Sequence, residues 1–198
     1  MIHEYIWGTE DWIYSDDEIL VKRIDAKDKL SVQVHPDDEY AKRKGLANGK
    51  TECWYVTKRE EGAFLYCGFE EDAKLSKELI VKAAEDGTIE KYLKKIFVEP
   101  GDFIFIPAGT VHAIGAGIKL IEVQQNSNTT YRLYDYKRVG ADGKERELHL
   151  KEASECIKEG TDCGLKKLPC DCSFFKIEKK ENQLLVRTKS KLTKIDIE

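Results

Sequence analysis

No stretch of this 198-residue chain approaches the roughly 20 consecutive apolar residues that a bilayer-spanning helix needs, so no such helix is expected. The opening residues, MIHEYIWGTEDW, carry acids and tryptophan where a secretory leader carries a basic head and an apolar stretch, and a cytoplasmic setting is expected. Basic runs are scarce too. The 33 Lys and Arg are interspersed with 37 Asp and Glu, giving a formal charge of −4 and no stripe to neutralise a nucleic-acid backbone. Nucleic acid is not an expected partner, whereas a small anion, which one local Lys or Arg can hold, is compatible. Paired C-x-x-C knuckles are also missing. The six cysteines, four of them crowded at Cys156, Cys163, Cys170 and Cys172, therefore read as free thiols and not as a structural zinc site.

What is present describes a soluble, single-core protein: 41% hydrophobic residues with 35% charged ones, in short β-type runs broken by turns. Residues 30–34 read as a strand stopped by His-Pro-Asp-Asp, since proline cannot donate to a ladder and aspartate favours turns. A helical turn is expected at 39–44, then strands at 50–57 and 63–69. The period changes over 74–84, where Leu75, Leu79, Ile80 and Ala83 recur at helical spacing before Gly87. Thr88 is expected to cap a second helix carrying Ile89, Tyr92 and Leu93, the pair forming a lid or side wall. Strands resume at 96–98, 102–106, 111–114, 119–125 and 132–136, followed by a helix at 148–157 and a hairpin at 173–177 and 183–188. Many short strands with Gly and Pro turns point to a sandwich or small barrel, in which alternate side chains line the interior.

Three places carry chemistry. Gln33 and His35 stand two apart on one strand and share a face, as either satisfied polar groups or cavity ligands. Lys50 and Glu52 also share a face, which suits a buried ion pair, a solvated surface or catalysis alike. The run GDFIFIPAGTVH from Gly101 to His112 is more specific: a glycine turn into a strand, a Pro107-Ala108-Gly109 turn out of it, and a histidine opening the next strand.

That run resembles the second sequence motif of the cupin superfamily, with Gln33-Val34-His35 standing where cupins usually carry His-x-His. QVHPDD, GKTECW, GDFIFIPAGTVHA and QQNSNTTYRLYDY, in this order, resemble the type I mannose-6-phosphate isomerases, over about residues 20–150. The resemblance implies a mainly β, cupin-like jelly-roll barrel with a small inserted helical segment. It implies one divalent metal ion, zinc first, held by Gln33, His35, Glu52 and His112. Glu39, four residues after His35, is a rival acid; the HPDD turn should carry it away from the cavity, and Lys-Thr-Glu matches the family, so Glu52 is preferred. The implied reaction interconverts mannose 6-phosphate and fructose 6-phosphate through a cis-enediol.

For proton transfer the candidates are Lys50 and Glu122, the latter either turned inward by strand alternation or a surface carboxylate. Arg132, in the family's N-x-x-x-R segment, is expected on the substrate's oxygens, and Ser31, which shares a face with Gln33, beside the phosphate. The expected division is a metal-binding catalytic unit over 1–150, with the helical insertion at about 72–95, and a C-terminal helix and hairpin over 151–198. That tail resembles only the opening strands of the family's second β domain. A homodimer would cover exposed sheet edges. The competing function is a non-catalytic metal-containing cupin that binds a sugar or sugar phosphate.

Overall fold

The computed structural model describes residues 1–73, 75–140 and 143–198. In chain order its elements are β1 (Ile2–Tyr5), β2 (Gly8–Ser15), β3 (Ile19–Ala26), β4 (Val32–Val34), α1 (Asp38–Lys44), β5 (Glu52–Arg59), β6 (Phe64–Phe69) and α2 (Lys77–Asp86). A 3-10 turn at Ile89–Lys91 leads to β7 (Leu93–Phe97), β8 (Phe103–Ile106), β9 (His112–Ile114), β10 (Ile118–Gln125) and β11 (Tyr131–Tyr134). The chain ends with α3 (Leu150–Cys156), β12 (Gly164–Lys166), β13 (Cys170–Asp171), β14 (Lys176–Lys180), β15 (Gln183–Arg187) and β16 (Leu192–Asp196). Among the described residues no helix is long and apolar enough to cross a membrane.

The described strands form three antiparallel sheets: β1-β2-β3-β10-β5-β8-β12, β11-β4-β9-β6-β7 and β13-β14-β15-β16. Strict alternation sorts the side chains among three apolar layers. On β10, Ile118 and Leu120 join Trp54, Val56, Ile104, Ile106, Leu65 and Ile114 between the first two sheets. Ile121 and Val123 face the other way, meeting Phe175, Ile177, Leu184 and Val186 of the C-terminal sheet. Val32 and Val34 of β4 point outward onto a layer with Ile80, Ala83, Leu133 and Ala153, so α2 and α3 cover the back of the five-stranded sheet. This is the mainly β, cupin-like barrel with a small helical insertion that the motifs imply, and α2 is a side wall.

Local chemistry sets the helix ends. Asp37 caps α1 by accepting the Tyr40 N–H at 2.7 Å, and Gly45 closes it with φ 71°. The helix expected from residue 74 starts instead after Ser76, which accepts from the Leu79 N–H; Lys74 itself lies outside the described residues. The second expected helix is only the 3-10 turn. Thr88 makes no side-chain cap there, and Leu93 already opens β7, where pairing with Phe69 replaces helical hydrogen bonds. The strand expected at 132–136 ends at Tyr134, because Tyr136 and Lys137 turn to φ 58° and 54°. β1, β2 and β3 were not expected from the pattern at all.

Candidate metal centre and active-site cavity

The inward positions of the two facing sheets break their apolar pattern at one place. On β3, Lys22 keeps step with Ile24 and Ala26; on β10, Glu122 with Leu120; on β5, Glu52 with Trp54 and Val56. Opposite them β9 turns in His112, and β4 turns in Gln33, with His35 just beyond its end. The β4–β9 register sets Gln33 directly across from His112, and the β4–β11 register sets Arg132 directly across from Gln33. Residues distant in sequence thus meet because their strands are neighbours.

His35, Glu52 and His112 are fully buried, and their ligand atoms lie within 4.8 Å of one another. Each imidazole directs Nδ1 at a backbone carbonyl, His35 at Thr129 O and His112 at Thr110 O, both at 2.9 Å. A carbonyl can only accept, so each Nδ1 carries the proton and each Nε2 keeps a free lone pair. Both lone pairs face Glu52, at 3.4 Å from its two carboxylate oxygens. His35 Nε2 and both Glu52 oxygens make no hydrogen bond in this buried place. Unsatisfied polar atoms cost free energy when shielded from water. His35 Nε2 and the Glu52 carboxylate, left without hydrogen bonds, converge with His112 Nε2 and therefore fit a divalent cation, with the carbonyl contacts orienting each ring. Gln33 stands beside them, its Nε2 3.4 Å from His112 Nε2 while its Oε1 accepts from Ser31 Oγ at 3.2 Å. A half-turn of the amide exchanges the two and offers oxygen to an ion.

The electrostatics agree with that assignment. Burial, reinforced by the Lys50 ammonium, pulls His35 down to about 3, and burial lowers His112 against the attraction of Glu52. Burial opposes charge on Glu52, but the Lys50 ammonium beside it outweighs burial and holds the carboxyl well below the usual range. At neutral pH the cluster is two neutral imidazoles and one carboxylate, the protonation state a metal ligand set requires.

Beside this cluster runs a chain of charges. Lys50 Nζ lies 3.0 Å from Glu52 Oε2 and 4.0 Å from Glu122 Oε1. Lys22 Nζ lies 3.1 Å from the same Glu122 oxygen and 3.5 Å from Glu10, and Trp54 Nε1 donates to Glu122 Oε2 at 3.0 Å. Burial would strip the proton from Lys22, but Glu122 and Glu10 more than offset it and raise its pKa. Two lysines thus face three carboxylates, leaving one negative charge that a bound cation would balance.

An open cavity of about 440 Å³ gives access, lined among others by Ser31, Gln33, Lys50, Glu122, Arg132 and Arg146. Arg132 donates from Nη1 to Glu147 O at 2.7 Å, while its buried Nε has no partner. Arg146 is held by Asp135, with Nε to Oδ2 at 2.7 Å. Every expected site residue lies in the cluster or on this cavity. Glu39, the rival acid, is solvent-exposed on α1. The sequence reading missed Lys22, Glu10 and Arg146. No local signal marks Lys22, because both parities of ILVKRIDA carry apolar residues.

No family model matches the chain. The curated mannose-6-phosphate isomerase of Bacillus subtilis (strain 168) is 49% identical over 141 residues, 71% of this chain and 44% of that protein. That of Streptococcus mutans is 46% identical over 142 residues, again 72% of this chain and 44% of the relative. The crystal structure of the mannose 6-phosphate isomerase from Bacillus subtilis superposes with a TM-score of 0.70 at 34% identity, covering 88% of this chain and 54% of that one. A phosphomannose isomerase mutant from Salmonella typhimurium, at 15% identity and a TM-score of 0.54, shares the fold over 89% of this chain and 61% of its own. The chain therefore spans less than half the length of the curated relatives it matches, and over that span its sequence and fold are similar to those of mannose-6-phosphate isomerases.

Proposed function

We propose that this protein is a metal-dependent aldose-ketose isomerase that interconverts mannose 6-phosphate and fructose 6-phosphate through a cis-enediol. The observation that carries the reading is the convergence of buried ligand atoms of His35, Glu52 and His112, those of His35 and Glu52 without hydrogen bonds, with Lys50 and Glu122 beside them. Together with Gln33 these residues would hold one divalent ion, zinc first, since imidazole and carboxylate ligands in a small shell suit it. When bound, that ion supplies Lewis acidity at the sugar carbonyl.

The chain's own residues do the rest. Lys22 and Trp54 fix the Glu122 carboxylate from both sides, on the β3 and β5 registers of Glu122. In this reading Lys50, which bridges Glu52 and Glu122, moves a proton between C1 and C2. Arg132, with an unpaired Nε, offers planar donors to substrate oxygens, and Ser31 adds a hydroxyl at the same wall. In this reading residues 1–150 form the catalytic unit, with its helical insertion at about 72–95, and residues 151–198 buttress it. The setting is the cytoplasm, where six free thiols stay reduced.

The test is a coupled assay for fructose 6-phosphate formed from mannose 6-phosphate by zinc-loaded and by chelated protein. Turnover that disappears on chelation supports the proposal. Sugar-phosphate binding without turnover by zinc-loaded protein would assign the chain to the non-catalytic binding class instead.

A further inference from the structure

A second, larger cavity of about 1040 Å³ is lined by residues of β6, α2, β7 and the segment that leads into β12, and two thiols form part of its wall. Cys67 lies on β6, directly across the ladder from His112, and is 1% exposed; Cys163, just before β12, is half-buried. Cys163 packs against the apolar cluster that contains Cys67. Gly68, at φ 75°, makes room for them: a Cβ there would press on Cys163 Sγ at 3.2 Å. Lys94 and Thr161 line the same wall.

We propose that Cys67 and Cys163 are a hydroperoxide-sensitive thiol pair, in which Cys163 is oxidised first and Cys67 resolves it into a reversible disulfide. The asymmetry is set by surroundings. Cys163 is half-buried on the cavity wall that also carries Lys94, whereas Cys67 is 1% exposed. The accessible sulfur is therefore the one that a hydroperoxide meets first, and its buried neighbour is placed to act on Cys163. In the first step the Cys163 thiolate attacks one peroxide oxygen. An S–O bond forms, the O–O bond breaks, and the leaving hydroxide or alkoxide takes up a proton. The sulfur loses two electrons and the hydroperoxide gains them. In the second step the Cys67 sulfur attacks the sulfenic sulfur. The S–S bond forms, the S–O bond breaks, and water departs with the Cys67 proton. Cys156, Cys170 and Cys172 all have raised thiol pKa values, caused first by burial, so they are poor competitors.

The full chain, reduced and freed of reductant, is treated with a small molar excess of hydrogen peroxide and digested without reduction. The expected product has lost two hydrogens, yields a single cross-linked peptide pair containing Cys67 and Cys163, and reverts with dithiothreitol. Cys163→Ser removes the cross-link and leaves Cys67 reduced. In untreated wild-type protein at pH 7, iodoacetamide should label Cys163 at least about tenfold faster than Cys170 or Cys172. This readout needs no variant to fold. Equal labelling rates, or first oxidation at Cys170 or Cys172 with Cys163 still reduced, would overturn the proposal.

Discussion

The two sheets that face each other across the barrel bring different chemistry to the same point. The seven-stranded sheet contributes formal charges: Glu10 from β2, Lys22 from β3, Glu52 from β5 with Lys50 just ahead of it, and Glu122 from β10. The five-stranded sheet contributes neutral donors, His112 from β9 and Gln33 from β4 with His35 just after, and sets Arg132 of β11 on the cavity wall. The reason is one of cost. Carboxylates and ammonium groups can be buried only together, and adjacent antiparallel strands bring Lys22, Glu122 and Trp54 into direct register. Neutral imidazoles need no such company; one backbone carbonyl each suffices. The candidate ion site therefore lies between a charged wall and a neutral one, and a bound ion would tie the two sheets together.

The sharpest way to break this comparison is to remove one ligand from each wall. His112→Ala and Glu52→Gln should both abolish stoichiometric metal binding and lower kcat/KM by at least about a thousandfold, about 4 kcal/mol of transition-state stabilisation. Elemental analysis and the coupled assay read both effects. A Glu52→Gln protein that still held one ion per chain would show that the charged wall does not ligate. A smaller loss separates ligation from proton transfer. Lys50→Met should keep its ion, because the cation still balances Glu52, yet lose about 10²- to 10⁴-fold in kcat. If the ion is lost as well, Lys50 positions Glu52 and does not move a proton.

The C-terminal sheet supplies the contrast for both walls. Leu184, 1% exposed, packs with Phe175 and Ile177 against the outward residues Ile121 and Val123 of the charged sheet. Leu184→Ala should cost about 2–5 kcal/mol of stability in a urea titration and leave metal stoichiometry unchanged. Altered metal content in the folded variant would mean that this outer layer tunes the site through β10.

How much of this was legible beforehand follows the same physics. Gly101, Pro107 and Gly109 write the turn that delivers His112, and Pro36 writes the end of the strand bearing Gln33, so the ligands could be read from local signals. Lys22 and Glu10 could not be ranked in the same way. β1 to β3 mix charged and apolar residues at both parities, and only the β3–β10 register shows which side is buried. The short 3-10 turn at Ile89–Lys91 likewise defeated helical periodicity, because Leu93 serves strand pairing as well as a helix face. The C-terminal sheet was expected as one hairpin. β13 is two residues long and β16 is half exposed, so neither carries a strong apolar pattern.

The gentlest test uses protons and no mutation at first. His35 is buried neutral, with a folded pKa of about 3 against 6.5 when exposed, so between those values the unfolded chain binds the proton that the folded chain refuses. Its contribution is complete above pH 6.5 and is progressively lost as pH falls towards about 3. Glu52, held well below 4.5 by the Lys50 ammonium, adds a second loss in the same direction once pH drops beneath 4.5. In chelator the urea midpoint should therefore decline from pH 7 to pH 5 through the imidazoles alone, then more steeply towards pH 4. His35→Gln should flatten the first limb and spare the second. A midpoint that stays level from pH 7 to pH 5 in wild-type protein would mean that the two imidazoles titrate freely, and the neutral wall would lose the property that distinguishes it from the charged one.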